Sequence, residues 1–157
     1  MAGSARIRPP WWLKYVNRAM IAAARLGIGG DAGPVILTVP GRRTGRLRST
    51  PVTPFTVAGR RYVVGGLPGA DWPANVRAAG LVTLRTGRRT ERVRMTELPA
   101  DRARAVLRRF PTLVPTGVGF MKQAGLVTGP HPDEFAALAG RCPVFRIDPP
   151  SESTEKA

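Results

Sequence analysis

Six arginines, Arg42, Arg43, Arg46, Arg48, Arg60 and Arg61, fall between Ala32 and Ala70, a stretch with no aspartate or glutamate. Surfaces usually intersperse arginines with carboxylates that screen them, so such a cluster is either a solvated face or an anion site. The glycines favour the anion site. Gly41 and Gly45 bracket a tight turn whose backbone N–H groups, with the Thr44 hydroxyl, suit a phosphate. Arginine's planar fork adds two parallel hydrogen bonds to phosphate or carboxylate. The site is not a Walker loop, because G-x-x-x-x-G-K-[ST] is absent, and no G-x-G-x-x-G follows a strand as a dinucleotide site requires.

Protein-based catalysis has little to work with. His131 is the only histidine, lies between Pro130 and Pro132, and has no sequence-near arrangement of Ser, Cys or Asp to make it a general base. Zinc needs several Cys or His ligands and the chain holds one of each, so no metal site is expected and no catalytic side chain is nominated. An enzyme built from these residues must borrow its chemistry from a cofactor. Trp72 and Asn75 are three apart, hence on one helix face, where an indole and an amide can border a flat heteroaromatic ring; a tryptophan that merely plugs a barrel mouth has the same spacing.

The whole chain has 157 residues, 25 Lys plus Arg against 10 Asp plus Glu, and a formal charge of +15. That favours polyanionic partners, although a coding bias toward arginine accounts for the total as readily, since only Lys14, Lys122 and Lys156 are lysines. The length suits one domain, expected over residues 1–148 with a disordered tail at 149–157. The lone Cys142 excludes an internal disulfide, and a cytoplasmic location is expected. No uncharged apolar run reaches the roughly 18 to 20 residues of a membrane span, and no signal-peptide cleavage pattern follows Ala19 to Leu26.

The elements that must position these residues begin with a helix over 11–26. Its stripe of Lys14, Arg18 and Arg25 opposes an apolar face, a pattern that suits a cover over the core or an anionic membrane surface. Val35 to Val39 is a β-branched run for a buried strand, Gly41 to Gly45 a turn, and Arg46 to Val57 a longer strand whose Pro51 and Pro54 demand an edge or a bulge. Arg61 to Val64 follows, then a helix from Asp71-Trp72-Pro73 to Ala79. Leu81 to Thr86 and Glu91 to Thr96 form a hairpin around Gly87-Arg88-Arg89, and Pro99 to Phe110 an amphipathic helix. Pro111 to Pro132 is poorly patterned, and a short helix at Asp133 to Leu138 precedes a strand at Val144 to Ile147. Such short turns exclude most βαβ crossovers and predict a small antiparallel barrel with helices outside it, mainly β in an α+β class.

The segment Val35-Ile-Leu-Thr-Val-Pro-Gly-Arg-Arg-Thr-Gly-Arg-Leu-Arg-Ser-Thr-Pro51 resembles the strand, G-R-[KR]-[ST]-G turn and R-x-x-P strand of the deazaflavin-dependent nitroreductase family. Asp71-Trp-Pro-Ala-Asn75 matches a second element of that family. The resemblance covers about Val35 to Met95 and returns weakly at Val144-Phe-Arg-Ile147. It implies a split β-barrel that binds coenzyme F-420, an 8-hydroxy-5-deazaflavin with a phosphate and a polyglutamate tail. It also implies hydride transfer between the reduced cofactor and a small hydrophobic or planar acceptor: an enone, a quinone or a nitro compound. Carried over by position, Arg42, Arg43, Thr44 and Arg48 hold the phosphate and tail. Pro51, Val52, Thr53, Val64, Gly65, Gly66 and Leu67 line the deazaflavin, and Asp71, Trp72 and Asn75 close over it.

The chain departs from nitroimidazole-reducing members in a shorter loop before Trp72, in Thr53 where an aromatic residue can occur, and in lacking a C-terminal run of tyrosines. Phe110, Phe120 and Met121 are alternative acceptor-pocket residues, with ordinary core the better reading. FMN or haem in a related barrel needs fewer than six arginines. Nucleic acid is attracted by the charge, but the arginine strands lack interleaved aromatics for base stacking, so no specific nucleic-acid site is expected. Membrane contact through residues 11–26 and a homodimer through exposed strands are compatible with the enzyme.

Overall fold

Residues 18, 19, 21, 22 and 35–150 are described by the computed structural model. In chain order the elements are β1 (Val35–Pro40), β2 (Leu47–Val52), β3 (Phe55–Val57), β4 (Arg60–Val64), α1 (Asp71–Ala79), β5 (Leu81–Thr86), β6 (Arg89–Glu97), α2 (Ala100–Leu113), α3 (Pro115–Gln123), α4 (Pro132–Ala136) and β7 (Val144–Asp148). The class is the antiparallel, mainly β split barrel with peripheral helices. Most of the helix expected at 11–26 lies outside the described residues, although Arg18, Ala19, Ile21 and Ala22 are helical. Residues 151–157 of the expected tail lie outside them too. Among the described residues the chain divides into two compact units whose segments alternate along the sequence, one of Thr53–Ala70 and Glu97–Arg146, the other of residues 35–52, Asp71–Thr96 and residues 147–150.

The second unit is a sheet ordered β2-β1-β5-β6. Period-2 alternation sends Leu37 and Val39 of β1, Val82 and Leu84 of β5, and Val93 and Met95 of β6 to one buried face,. Leu37 sits opposite Leu84, and α1 lays Val76, also fully buried, against β1 and β5. Each such side chain stabilises the unit by about 1.5–3 kcal/mol. The other face carries a polar row: Ser49 bonds Thr38 at 2.8 Å, Thr38 pairs in register with Thr83, and Arg92 donates to the Thr83 hydroxyl at 3.4 Å. The turn before β6 is shorter than expected. Gly87 and Arg88 alone make it, with Arg89 already paired to Thr86.

The first unit is built on aromatics. Phe55 of β3 meets Phe110 of α2 edge-on at 5.4 Å between centroids, and Phe110 meets Phe135 of α4 at 5.4 Å. The long strand expected over Arg46 to Val57 is two strands, corrected at Thr53-Pro54: β2 pairs with β1, and β3 pairs with β4. Pro54 has no N–H for a ladder, so the pairing changes partner there. The 111–132 stretch that looked unpatterned holds α3 and the end of α2, which runs past Pro111. The pattern was masked by Gly117, yet a glycine is needed there, because a Cβ would lie 2.5 Å from Phe110 Cζ.

Candidate functional site

The arginine turn closes on itself. Gly41 N–H donates to the Arg46 carbonyl at 2.7 Å and Gly45 N–H to the Gly41 carbonyl at 2.8 Å, while Thr44 Oγ1 accepts from Arg46 N–H at 3.2 Å. Gly45 has φ +74°, a left-handed conformation that favours glycine,. Three N–H groups of the turn are thereby satisfied within it, and Arg42, Arg43, Thr44 and Arg46 face outward. The Thr44 hydroxyl keeps its own hydrogen to donate.

Arg42 differs from its neighbours. Its backbone N–H donates to Asn75 Oδ1 at 3.0 Å and its Nη1 to the same oxygen at 2.8 Å, and Nη2 lies 3.6 Å from the Asp71 carboxylate. An acid does therefore meet one arginine of the cluster; it stands one residue beyond the acid-free stretch and is delivered by the start of α1. Asn75 is 4% exposed, so this amide is buried inside the unit. Arg43, Arg46 and Arg48 are exposed and form no ion pair among the described residues. Arg48 pairs with Val39 and so shares the face of β2 that looks toward the α1 side, with its Cγ 3.8 Å from a Cβ built on Gly41,. Val52 shares that face, whereas Pro51, opposite Ile36, points to the other. Trp72 is half-buried on α1.

Three exposed guanidinium groups, a hydroxyl and a braced fourth arginine thus belong to one unit. Guanidinium and hydroxyl donors of this kind match phosphate and carboxylate oxygens. The remaining positions expected to line a ring belong to the other unit. There Thr53 is exposed, Val64 and Leu67 are half-buried, and Gly65 N–H donates to the Pro143 carbonyl at 2.8 Å. Gly66 faces α3, where an added Cβ would stand 3.6 Å from Met121 Cγ and 3.9 Å from Phe120 Cδ1. Phe110 and Met121 are core residues, while Phe120 is half-buried at the core's margin beside Gly66. Sequence spacing gave no sign of that contact, because α3 itself was hidden.

The other chemistry-bearing residues fall outside this group of arginines. Burial pushes the Cys142 thiol up to about 11, against the opposing charge of Arg141, so the sulfur is no nucleophile at neutral pH,. Glu134 is held below its usual range first by the Thr128 hydroxyl and then by the Thr128 backbone N–H, at 2.6 and 2.7 Å. His131 is exposed beside them and heads α4. No cluster of metal-ligating side chains occurs among the described residues.

A family model described as F420H(2)-dependent quinone reductase matches residues 14–124. A solved chain described as a domain-swapped dimer is 19% identical, with 87% of this chain and 97% of that one covered, at a TM-score of 0.52; the likeness is one of fold. A structure described as an F420-H2 dependent reductase, FDR-A, is 19% identical over 73% of this chain and 93% of that one, at a TM-score of 0.48. No curated protein matches the chain.

Proposed function

Because the chain belongs to the F420H(2)-dependent quinone reductase family, we propose that it reduces a small planar hydrophobe of the quinone class, with hydride from reduced F-420. The chain is an oxidoreductase and its cofactor is F-420. The observation that carries the site assignment is the exposed trio Arg43, Arg46 and Arg48 beside the braced Arg42. In this reading Arg42, Arg43 and Arg48, with the Thr44 hydroxyl, hold the cofactor's phosphate and tail. Bound F-420 supplies the hydride at its deazaflavin ring.

The chain's own part is binding and orientation. Trp72 and Val52, on the same unit as the arginine turn and both half-buried, offer apolar surface for a planar ring,. Exposed edge strand β2 is where a homodimer would form, measurable as a doubled mass in light scattering.

Fluorescence titration with F-420 and with FMN tests the reading. Saturable F-420 binding that weakens as salt rises is expected, because several charges meet at the tail end. Saturable binding of FMN without binding of F-420 would overturn it. Quinones, enones and nitroaromatics screened as oxidants of the reduced cofactor then rank the acceptors, with quinones expected fastest.

A further inference from the structure

We propose that Asn75 is a positioning residue that acts through Arg42, setting affinity for the anionic end of the cofactor without touching its ring. This rests on the F-420 reading above. A side-chain amide oxygen has two lone-pair sites, and both on Asn75 are filled by Arg42, one by the backbone N–H at 3.0 Å and one by Nη1 at 2.8 Å. The oxygen therefore has nothing left to offer a ligand, and the residue is 4% exposed.

The two bonds do different things. The backbone bond fixes where the Gly41–Arg46 turn stands over α1, and the side-chain bond fixes the rotation of the guanidinium plane. Of the five N–H donors of Arg42, one is committed to Asn75. Asp71, 3.6 Å from Nη2, is too far for a tight hydrogen bond and is 61% exposed in its side chain, so it leaves that edge open to a stronger anion. Arg42 is thus the one arginine of the turn whose fork is already oriented when an anion arrives, and an oriented fork loses less freedom on binding than a free one. Arg43 and Arg48, exposed and unbraced, supply charge without that order.

Equilibrium titration separates this role from a ring contact. The probes are F-420 and the deazaflavin riboside that lacks phosphate and tail. Asn75→Ala is expected to weaken F-420 by about ten- to a hundredfold, the range of a lost hydrogen bond to a charged group, while riboside affinity stays within about twofold. In an Arg42→Ala background the same substitution is expected to weaken F-420 by a clearly smaller factor, since the side-chain bond is already gone and only the bond to the backbone N–H of residue 42 remains to be lost,. Asn75→Ser, which keeps a polar group too short to reach Arg42, gives the same readout where Asn75→Ala does not fold. Equal weakening of both probes, or an undiminished effect without Arg42, overturns the proposal while leaving the cofactor reading intact. Wild-type protein that binds neither probe overturns the cofactor reading itself.

Discussion

The two units of this chain solve opposite problems. The unit of Thr53–Ala70 and Glu97–Arg146 is held by ring against ring, Phe55, Phe110 and Phe135, with Asp133 on Arg108 at 2.6 Å and Glu134 clasped by Thr128 at its surface. The other leaves Arg43, Arg46 and Arg48 exposed without an ion pair among the described residues, and fixes their turn with a few polar bonds to one buried amide. Binding an anion requires charge that the protein has not already neutralised, and unneutralised charge contributes nothing to folding. Stability and affinity should therefore respond to different residues.

The largest expected effect is on stability. Phe110→Ala removes the ring that touches Phe55 and Phe135 and leaves a hole under Gly117, so urea unfolding should lose about 3–5 kcal/mol. Cys142, buried with its thiol at about 11, should then react with a disulfide reagent much sooner than in wild type as the unit opens. Unchanged unfolding free energy would contradict the aromatic account of this unit.

Next in size is the converse. Arg43→Ala with Arg48→Ala should weaken F-420 by about two charge-assisted hydrogen bonds, of the order of 2–4 kcal/mol together, and flatten the dependence of affinity on salt. Stability should move by no more than about 0.5 kcal/mol, as for exposed side chains elsewhere. A loss of stability comparable to that of Phe110→Ala would erase the contrast between the units.

How much of this contrast could be read from the sequence depends on distance along the chain. The β1 alternation, the Gly41–Gly45 turn and the Asp71-Trp72-Pro73 helix start are local signals, and each element stands where its pattern put it. The break at Pro54 was visible as a proline but not as a change of pairing partner, which is decided by strands far away in sequence. Helix α3 was lost because Gly117 and Gly119 interrupt its apolar face, and the reason for Gly117, the ring of Phe110, is a packing fact. The bond between Arg42 and Asn75 joins residues 33 apart; spacing placed Asn75 on a helix face and could not show what that face meets.

Two small effects sharpen the comparison at the turns. Ala58 holds φ +51° in the two-residue turn between β3 and β4, a left-handed conformation that is strained for alanine and natural for asparagine. Ala58→Asn should stabilise the protein by about 0.5–1 kcal/mol in urea and leave F-420 affinity unchanged. A loss of stability would mean that the turn has another conformation.

The smallest effect is the pH dependence of the Thr128–Glu134 clasp. The clasp lowers the Glu134 pKa in the folded protein, so the ionised form is favoured by folding. A carboxylate with a depressed folded pKa contributes stability above its unfolded value and loses it as pH falls through the folded value. Glu134 is solvent-exposed, so water screens the contribution. Wild type should thus lose slightly more stability than Glu134→Gln between neutral pH and pH 3, with the two curves converging at the acid end; F-420 binding at neutral pH should be alike in both. Parallel curves would mean that the two Thr128 bonds do not hold the carboxylate in solution.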